Sequence, residues 1–247
     1  LWRQLAVDRA CLTCAAPGMA PGPGPGCEVD SGADLVVDLS AVRTRWDEAG
    51  FRTPFRVTGP ALARGLDLDL SLAGGHNVRN ALVAVAMARA LGLEPALIGA
   101  GLATMRPVPG RLFPRRIPGG PRLIDDSYNA NPDSVEAAIA VLMSLSGRHV
   151  LVLGDLGELG PEAEALHRRL GVVAREAGVA ALYTLGSLSA AAAEGFGAGA
   201  DRHFTDQAEL IGRLRQDLAP DDLVLIKGSR RSAMDRVADA LCAPREG

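Results

Sequence analysis

The sequence has 247 residues, of which 48% are hydrophobic, and a formal net charge of −3, which allows one large or two modest domains. Basic and acidic residues are interspersed, which argues against nucleic-acid binding, and no stretch approaches the roughly 18 apolar residues of a membrane-spanning helix. The four cysteines are too few for a disulfide scaffold, so we expect a protein of the reducing cytoplasm.

Residues 1–32 contain a Pro/Gly tract at 15–27 that predicts a flexible segment unrelated to the fold of residues 33–247, as in a chain entered partway through. From residue 33 to residue 106 the pattern predicts a small β-rich unit with one helix. Three short strands are expected at 33–40, 53–58 and 66–72, and the helix at 77–91, where Gly92 closes it.

A Pro-rich joint at 107–111 predicts a domain boundary, and beyond it strands and helices alternate to residue 247. The predicted strands are 122–125, 149–153, 181–185 and 223–226. The predicted helices are 133–145, 161–177, 188–194, 207–218 and 232–241. Repeated βα units of this kind indicate an α/β fold with a parallel sheet covered on both faces. We expect 107–247 to fold independently and 33–106 to be marginal alone.

Unusual polar residues follow the predicted strands, at the carboxyl ends where ligands bind in open parallel sheets. These segments are 125–132 (Asp-Asp-Ser-Tyr-Asn-Ala-Asn-Pro), 154–160 (Gly-Asp-Leu-Gly-Glu-Leu-Gly), 186–187 (Gly-Ser) and 227–230 (Lys-Gly-Ser-Arg). Such residues are also ordinary turn formers, and 186–187 is interpreted that way. The segment 125–132 has too many hydrogen-bonding side chains for a plain turn and predicts a ligand site.

Two of these segments constrain the chemistry. The glycine spacing at 154–160 and its acidic residues do not suit a pyrophosphate, which disfavours a dehydrogenase. The run 227–231 offers three cations and a hydroxyl where a strand leads into a helix. It suits a carboxylate or phosphate, with a basic surface helix start as the alternative.

In the first unit, Asn77 and Asn80 lie one helical turn apart in Gly-Gly-His-Asn-Val-Arg-Asn. Because an amide both donates and accepts, it can read the edge of an adenine ring. Asn77 could equally be a helix cap, and His76 a packed or capping residue.

Taken in order, the motifs at 75–80, 110–111, 125–134, 154–160 with His167, and 227–230 resemble the Mur ligase family. The string Asp-Asp-Ser-Tyr-Asn-Ala-Asn-Pro is similar to that of the members that add D-alanyl-D-alanine to UDP-N-acetylmuramoyl-tripeptide. The resemblance covers residues 33–241. It implies the C-terminal part of a central ATP-binding domain at 33–106, followed by a Rossmann-like C-terminal domain at 107–247.

The resemblance further implies a cytoplasmic, monomeric, ADP-forming ligase of peptidoglycan synthesis that uses ATP and Mg²⁺. It phosphorylates a peptide carboxylate, and the dipeptide amine then attacks the acyl phosphate. The residues that this resemblance assigns to the nucleotide are Asn77 and Asn80 (adenine), Arg111 (phosphates) and Asp126 (ribose). Those that it assigns to the substrates are Tyr128, Asn129 and Asn131 near the reacting groups, and Lys227, Ser229 and Arg230 at the dipeptide carboxylate.

Arg111, Tyr128 and Asn129 are thereby the candidate catalytic residues, Glu158 and His167 shape the pocket, and no metal ligand is assigned. The sequence departs from the family in having no Gly-x-x-Gly-Lys-Thr phosphate loop. We therefore expect the chain to be inactive alone. A non-catalytic nucleotide- or peptide-binding remnant stays open as an alternative, as does another Mur or folylpolyglutamate-type ligase, against which the run 128–131 argues.

Overall fold

The computed structural model of the chain describes residues 14–15, 33–197, 199 and 202–244. Most of the segment 1–32, predicted to be flexible, therefore lies outside the described residues. The chain divides after Arg106 into two compact units. We call them the first and the second unit.

The first unit contains short strands and two helices. Its elements are β1 (Cys14–Ala15), β2 (Leu35–Val36), β3 (Arg45–Asp47), β4 (Gly50–Val57), β5 (Leu66–Leu70), α1 (Gly75–Ala90) and α2 (Pro95–Ala103). Strands β1 and β2 pair in parallel, and β3, β4 and β5 form an antiparallel sheet. The helix α2, which begins with Pro95, was not predicted, and the strand expected at 33–40 is reduced to β2.

The core of the first unit lies between this sheet and one face of α1. Strand β4 buries alternate residues because only one face of the sheet is covered. Helix α1 buries Val78, Leu82 and Val85 at helical spacing, in the same core cluster as Phe55 and Leu68 of the strands. The sequence pattern that predicted this helix is therefore the pattern of its buried face.

The second unit is a six-stranded α/β sheet. Its strands are β6 (Phe113–Arg116), β7 (Arg122–Asp126), β8 (Arg148–Gly154), β9 (Ala181–Leu185), β10 (His203–Phe204) and β11 (Asp222–Lys227). Its helices are α3 (Pro132–Met143), α4 (Ala163–Glu176), α5 (Ala190–Phe196), α6 (Gln207–Asp217) and α7 (Met234–Cys242). Short 3₁₀ turns span Gly160–Glu162 and Arg230–Ser232.

The strands are ordered β10-β9-β8-β11-β7-β6, and all neighbours are parallel except β6, which runs antiparallel to β7. The four predicted strands are confirmed and occupy the middle of this sheet. The two outermost strands, β6 and β10, were not predicted. Every residue of β9 and β11 is buried, as expected for strands covered on both faces.

None of the helices in the described part of the chain is long and apolar enough to cross a membrane.

Candidate functional site

The parallel strands of the second unit bring four polar loops to one edge of the sheet. Strands β7, β8, β9 and β11 all end there, because each is parallel to its neighbour. The loops at these ends are 125–132, 154–160, 186–189 and 227–232. The carboxyl edge therefore carries the polar clusters that the sequence singled out, in the position where parallel sheets bind ligands.

Asp125, at the end of β7, shapes the first of these loops. Its carboxyl group is buried, with 5% of the residue exposed, and Oδ1 accepts hydrogen bonds from Ser127 N (3.2 Å) and Ser127 Oγ (2.5 Å). The Arg115 guanidinium lies 3.4 Å from Oδ2. Asp125 therefore holds the turn that carries its neighbour Asp126 and exposes Tyr128.

Asp126 is held by the end of β11. Its Oδ2 lies 2.6 Å from Lys227 Nζ, and its Oδ1 accepts the backbone N–H of Leu112 at 3.0 Å. Lys227 Nζ also donates to the backbone carbonyl of Asn129 at 3.0 Å. Both carboxylate oxygens of Asp126, the residue predicted to bind ribose, thus already have a hydrogen-bonding partner. Each keeps one lone pair for a further donor.

Asn131 begins helix α3. Its Oδ1 accepts the N–H of Ser134 at 2.8 Å, while the Asn131 N–H donates to Ser134 Oγ at 3.0 Å, which is a capping box. The side-chain carbonyl is therefore engaged in the helix cap. Its side-chain NH₂ group is the part that remains for a ligand.

Tyr128 stands at the mouth of a cleft of about 650 Å³, here called the Tyr128 cleft. Its lining includes Gly110, Phe113, Arg115, Asp125, Tyr128, Arg230 and Asp239. Tyr128 is 46% exposed. The guanidinium carbon of Arg111 lies 4.3 Å from its centroid and that of Arg230 lies 5.5 Å from it. Cation–π contacts orient both guanidiniums without neutralising their charge.

Arg115 gives the inner wall of the Tyr128 cleft a fixed charge. It forms ion pairs with Asp239 (2.7 Å) and Asp125 (3.4 Å). Burial alone lowers the pKa of Arg115, but the hydrogen bond to Asp239 and the nearby carboxylates outweigh it and raise the pKa above its ordinary value. The cleft thus contains the ion-paired Arg115 together with Arg230, Arg236 and Asp235, which form no ion pair with the described residues.

A second cleft, of about 490 Å³, lies along the ends of β8, β9 and β11 and is here called the Asp155 cleft. Its lining includes Asp155, Leu156, Gly157, Leu185, Leu188, Gln207, Ser229, Arg231 and Ser232. Asp155 Oδ1 accepts the N–H of Ser189 at 2.7 Å, and the Asp155 carbonyl accepts Ser229 Oγ at 2.6 Å. The Ser229 hydroxyl proton is therefore engaged by the backbone.

The three cations of the segment 227–231 have different surroundings. Lys227 is buried against Asp126, Arg230 lines the Tyr128 cleft and Arg231 lines the Asp155 cleft. A 3₁₀ turn at Arg230–Ser232, followed by a left-handed Ala233 (φ 48°), separates the two arginines. Lys227, Ser229 and Arg230, the residues predicted to hold the dipeptide carboxylate, thus have different surroundings, and their joint role stays a prediction. Arg231, which lines the Asp155 cleft, was counted among the cations of this segment but was not assigned to a ligand.

His167 supports the loop after β8 from beneath. It is fully buried, its Nε2 lies 3.0 Å from the donating N–H of Leu156, and its Nδ1 lies 2.6 Å from the accepting carbonyl of Ala163. These partners require a neutral ring protonated on Nδ1. His167 is thus a structural hydrogen-bonding residue, whereas Glu158 of the same loop is exposed and in a left-handed conformation (φ 61°).

In the first unit, the two candidate adenine ligands begin helix α1. Asn77 lies in its first turn and donates its side-chain N–H to the carbonyl of Ala73 at 2.8 Å, so it does not cap the helix, a role for which its oxygen would have to accept. Asn80 is exposed one turn later. The side-chain carbonyl of Asn77 remains available to a ligand.

Within the described ranges, no group of three or more His, Cys, Asp or Glu side chains could hold a metal ion.

Comparison with known proteins relates the chain to amide-bond ligases. Residues 110–230 match the family model "Mur ligase, glutamate ligase domain". The UDP-N-acetylmuramoyl-tripeptide–D-alanyl-D-alanine ligase of Escherichia coli is 43% identical over 178 residues, which are 71% of this chain and 39% of that protein. The chain thus spans about two fifths of the length of such curated relatives.

Solved structures show the same relation. The crystal structure of MurF from Acinetobacter baumannii covers 85% of this chain and 45% of its own, with a TM-score of 0.73 and 33% identity. The MurF ligase of Thermotoga maritima in complex with ADP covers 85% of this chain and 46% of its own, with a TM-score of 0.69. At 22% identity, the second likeness supports the fold alone.

Proposed function

Since the chain belongs to the Mur ligase family through the glutamate ligase domain at 110–230, we propose that it is part of a ligase that joins D-alanyl-D-alanine to UDP-N-acetylmuramoyl-tripeptide in peptidoglycan synthesis. The proposed enzyme is cytoplasmic, monomeric and ADP-forming. The observation that carries the proposal is the carboxyl edge of the second unit. It presents guanidiniums that form no ion pair with the described residues, in a chain 43% identical to a ligase of that name.

The proposed reaction has two steps. A tripeptide carboxylate oxygen attacks the γ-phosphorus of ATP, the bond between that phosphorus and the β,γ-bridging oxygen breaks, and ADP leaves. The dipeptide amine then attacks the acyl carbon, gives up a proton, and expels inorganic phosphate as the amide forms. Both steps concentrate negative charge on phosphoryl and acyl oxygens, and fixed cations lower the energy of such transition states.

The Tyr128 cleft suits the phosphorylated carboxylate. Arg111 and Arg230 face the same exposed ring, and no carboxylate of the described residues pairs with either of them. Guanidiniums bind phosphoryl oxygens through parallel N–H donors. We assign Arg111 and Arg230 to the transferring phosphoryl group, and Tyr128 to their orientation. Asn129, exposed beside them, is assigned to the acyl group.

The Asp155 cleft suits the incoming dipeptide, which carries an ammonium, a carboxylate and two methyl groups. Arg231, which forms no ion pair within the described ranges, provides a cation for the carboxylate. Leu185 and Leu188 provide apolar contact for the methyl groups, and Asp155 Oδ2, which accepts no hydrogen bond from the described residues, provides an acceptor for the amine. Ser229 remains a lining residue of this cleft, as an acceptor.

The remaining assignments concern the nucleotide and the acceptor peptide. Asn77 and Asn80 are assigned to adenine, Asp126 to the ribose hydroxyls, and Asn131, through its NH₂ group, to the peptide. Mg²⁺ accompanies ATP in this proposal, where it would offset phosphate charge. Every role above is assigned to side chains of the chain itself.

The test is a reconstitution. The chain is produced alone and joined to the phosphate-loop half of the Escherichia coli relative, and both proteins receive ATP, Mg²⁺, UDP-N-acetylmuramoyl-tripeptide and D-alanyl-D-alanine. Phosphate release and the amide product are measured. We expect turnover in the joined protein only, at least about 100-fold lower in Arg111→Gln and retained in Arg116→Gln, an exposed arginine of β6.

Turnover that is absent from the joined protein would contradict the proposal, provided that the protein folds. In that case ADP or the dipeptide binding to the chain without reaction would favour the non-catalytic binding remnant.

A further inference from the structure

Lys227 is the only lysine in a chain with 25 arginines. It is the last residue of β11 and is 2% exposed. It lines neither the Tyr128 cleft nor the Asp155 cleft. A buried ammonium is unfavourable unless it is paired and hydrogen-bonded, so its role is defined by the groups that it touches.

Both groups belong to one loop of the candidate site. Lys227 is the register partner of Asp126 on the neighbouring strand β7, and its Nζ lies 2.6 Å from Asp126 Oδ2. The same ammonium donates to the carbonyl of Asn129 at 3.0 Å. One ammonium thus fixes both the start and the middle of the loop 126–131.

Through Asp126 the contact extends to the turn that carries Arg111. Asp126 Oδ1 accepts the N–H of Leu112 at 3.0 Å, and the N–H of Tyr128 donates to the carbonyl of Gly110 at 3.0 Å. Gly110 (φ 75°) and Leu112 (φ 46°) both have left-handed backbones. A leucine in that region is unfavourable and persists only where its surroundings hold it.

We propose that Lys227 is a positioning residue. It holds Asp126, the loop 126–131 and the turn 110–112 in one arrangement, so that the Arg111 guanidinium stays against the Tyr128 ring. The inference rests on the proposed function for what this arrangement binds, but its structural part is independent of that function.

The identity of the residue fits this role. An ammonium is a compact charge with three rotatable donors, so it can satisfy a carboxylate and a carbonyl that lie in different directions. The planar fork of a guanidinium matches one carboxylate instead. This difference accounts for a lysine at 227 in a chain that otherwise uses arginine.

The first experiment measures amide hydrogen exchange of the full chain in Lys227→Met and in the double variant Lys227→Met/Asp126→Asn. The double variant leaves no unpaired buried charge, so it keeps the fold if the single variant does not. We expect the Tyr128 amide to exchange about tenfold faster in both variants, while the amide of Val152 in β8 changes less than about twofold in the double variant.

A purely structural role makes the opposite prediction. If Lys227 only compensates the Asp126 charge, the double variant restores wild-type exchange at Tyr128, and that result overturns the proposal. Equal acceleration at Tyr128 and at Val152 in the double variant would also overturn it, because the loss would then be global. Lys227→Arg is expected to leave Tyr128 exchange accelerated, since the fork cannot replace both contacts.

A second experiment separates this inference from the proposed function. Because Lys227 is the only lysine, labelling with [¹³Cε]lysine gives a single side-chain signal. If Asp126 binds ribose, ADP moves this signal in the wild-type chain but not in Asp126→Asn. An unmoved signal together with accelerated Tyr128 exchange in the Lys227 variants would contradict the nucleotide assignment and leave the positioning role intact.

Discussion

Arg148, at the amino edge of the sheet in the second unit, has different surroundings from three arginines at the carboxyl edge. At the amino edge, Arg148 at the start of β8 holds the fully buried Asp222 through two hydrogen bonds of 2.7 and 2.9 Å. At the carboxyl edge, Arg111, Arg230 and Arg231 form no ion pair with any described residue. Arg148 is thus engaged within the fold, whereas Arg111, Arg230 and Arg231 are open to a ligand.

Because of this contrast, we expect variants of the paired charges to change stability and variants of the unpaired arginines to change ligand binding. A closed pair leaves a buried charge uncompensated when one partner is removed, so its loss destabilises the fold. Removing a guanidinium that has no ion-pair partner leaves no buried charge uncompensated. Its loss is therefore expected to affect ligand binding rather than stability. Variants at the two edges test this expectation.

The largest effect on stability is expected at Asp222. Its Oδ1 and Oδ2 accept Arg148, and Oδ2 also accepts the N–H of Ala219 at 2.8 Å. We expect Asp222→Asn to lower the free energy of unfolding by about 2–3 kcal/mol, below the full value for a buried pair because Arg148 is partly exposed. Urea denaturation measures the change. The exposed neighbour Asp221→Asn is the control, with a change below about 0.5 kcal/mol.

The second-largest effect on the free energy of unfolding is expected at His167. It lies beneath the carboxyl edge, but both of its ring nitrogens form hydrogen bonds within the fold. Its loss is therefore expected to destabilise the fold, as the loss of Asp222 does. We expect His167→Phe to cost about 2 kcal/mol, because the Leu156 N–H and the Ala163 carbonyl lose their partner. The control variant is His149→Phe, which loses a single hydrogen bond at a partly buried position. We expect it to lower the free energy of unfolding by about half as much. Equal or reversed costs in urea titrations would argue against the assigned hydrogen bonds.

Tyr183 provides a smaller effect with a defined pH dependence. Burial and the hydrogen bond to Asp217 (2.6 Å) raise the pKa of Tyr183 from 10.0 to about 12. Because the folded state keeps the proton that the unfolded state loses, this contribution is complete below pH 10 and is lost as the pH rises toward 12. We expect Tyr183→Phe to cost about 1 kcal/mol at about pH 8.

The same variant should show a weaker loss of stability than the wild type between pH 10 and pH 12. Urea midpoints measured across that range test this. Parallel pH profiles for the two proteins would show that the Tyr183 hydroxyl does not titrate as described.

The sequence predicted the middle of the sheet because local composition determines it. Strands β8, β9 and β11 are short apolar runs bounded by turn residues, which is the pattern of a strand covered on both faces. The outer strands lack that pattern. Strand β6 reads Phe-Pro-Arg-Arg and β10 has two residues, so their pairing depends on neighbours that are distant in sequence.

The same limit applies to the site. The loops 125–132 and 227–231 could be identified from their residue types, because they hold more polar or charged side chains than a plain turn needs. The surroundings of the individual cationic side chains in the folded structure could not be predicted. Lys227 pairs with Asp126 because β11 lies beside β7, and the 3₁₀ turn after Ser229 sends Arg230 and Arg231 to different clefts. These are consequences of strand order and turn geometry.

The smallest effects on stability are expected at the open arginines. We expect Arg111→Gln, Arg230→Gln and Arg231→Gln each to change the free energy of unfolding by less than about 0.5 kcal/mol, because no ion pair with a described residue is lost. Urea denaturation of the three variants beside Asp222→Asn makes the comparison direct. A loss above about 1 kcal/mol at any of them would place that arginine among the structural residues.

The most direct test compares Arg230→Gln with Arg231→Gln in the ligase reconstituted with a phosphate-loop half. If the two clefts bind different substrates, Arg231→Gln raises the KM for D-alanyl-D-alanine about 10- to 100-fold with kcat nearly unchanged, because a charge-assisted hydrogen bond to the carboxylate is lost. Arg230→Gln instead lowers kcat by a similar factor with that KM nearly unchanged. Identical kinetic changes in the two variants, or none in either, would contradict the assignment of the carboxyl edge as two ligand clefts.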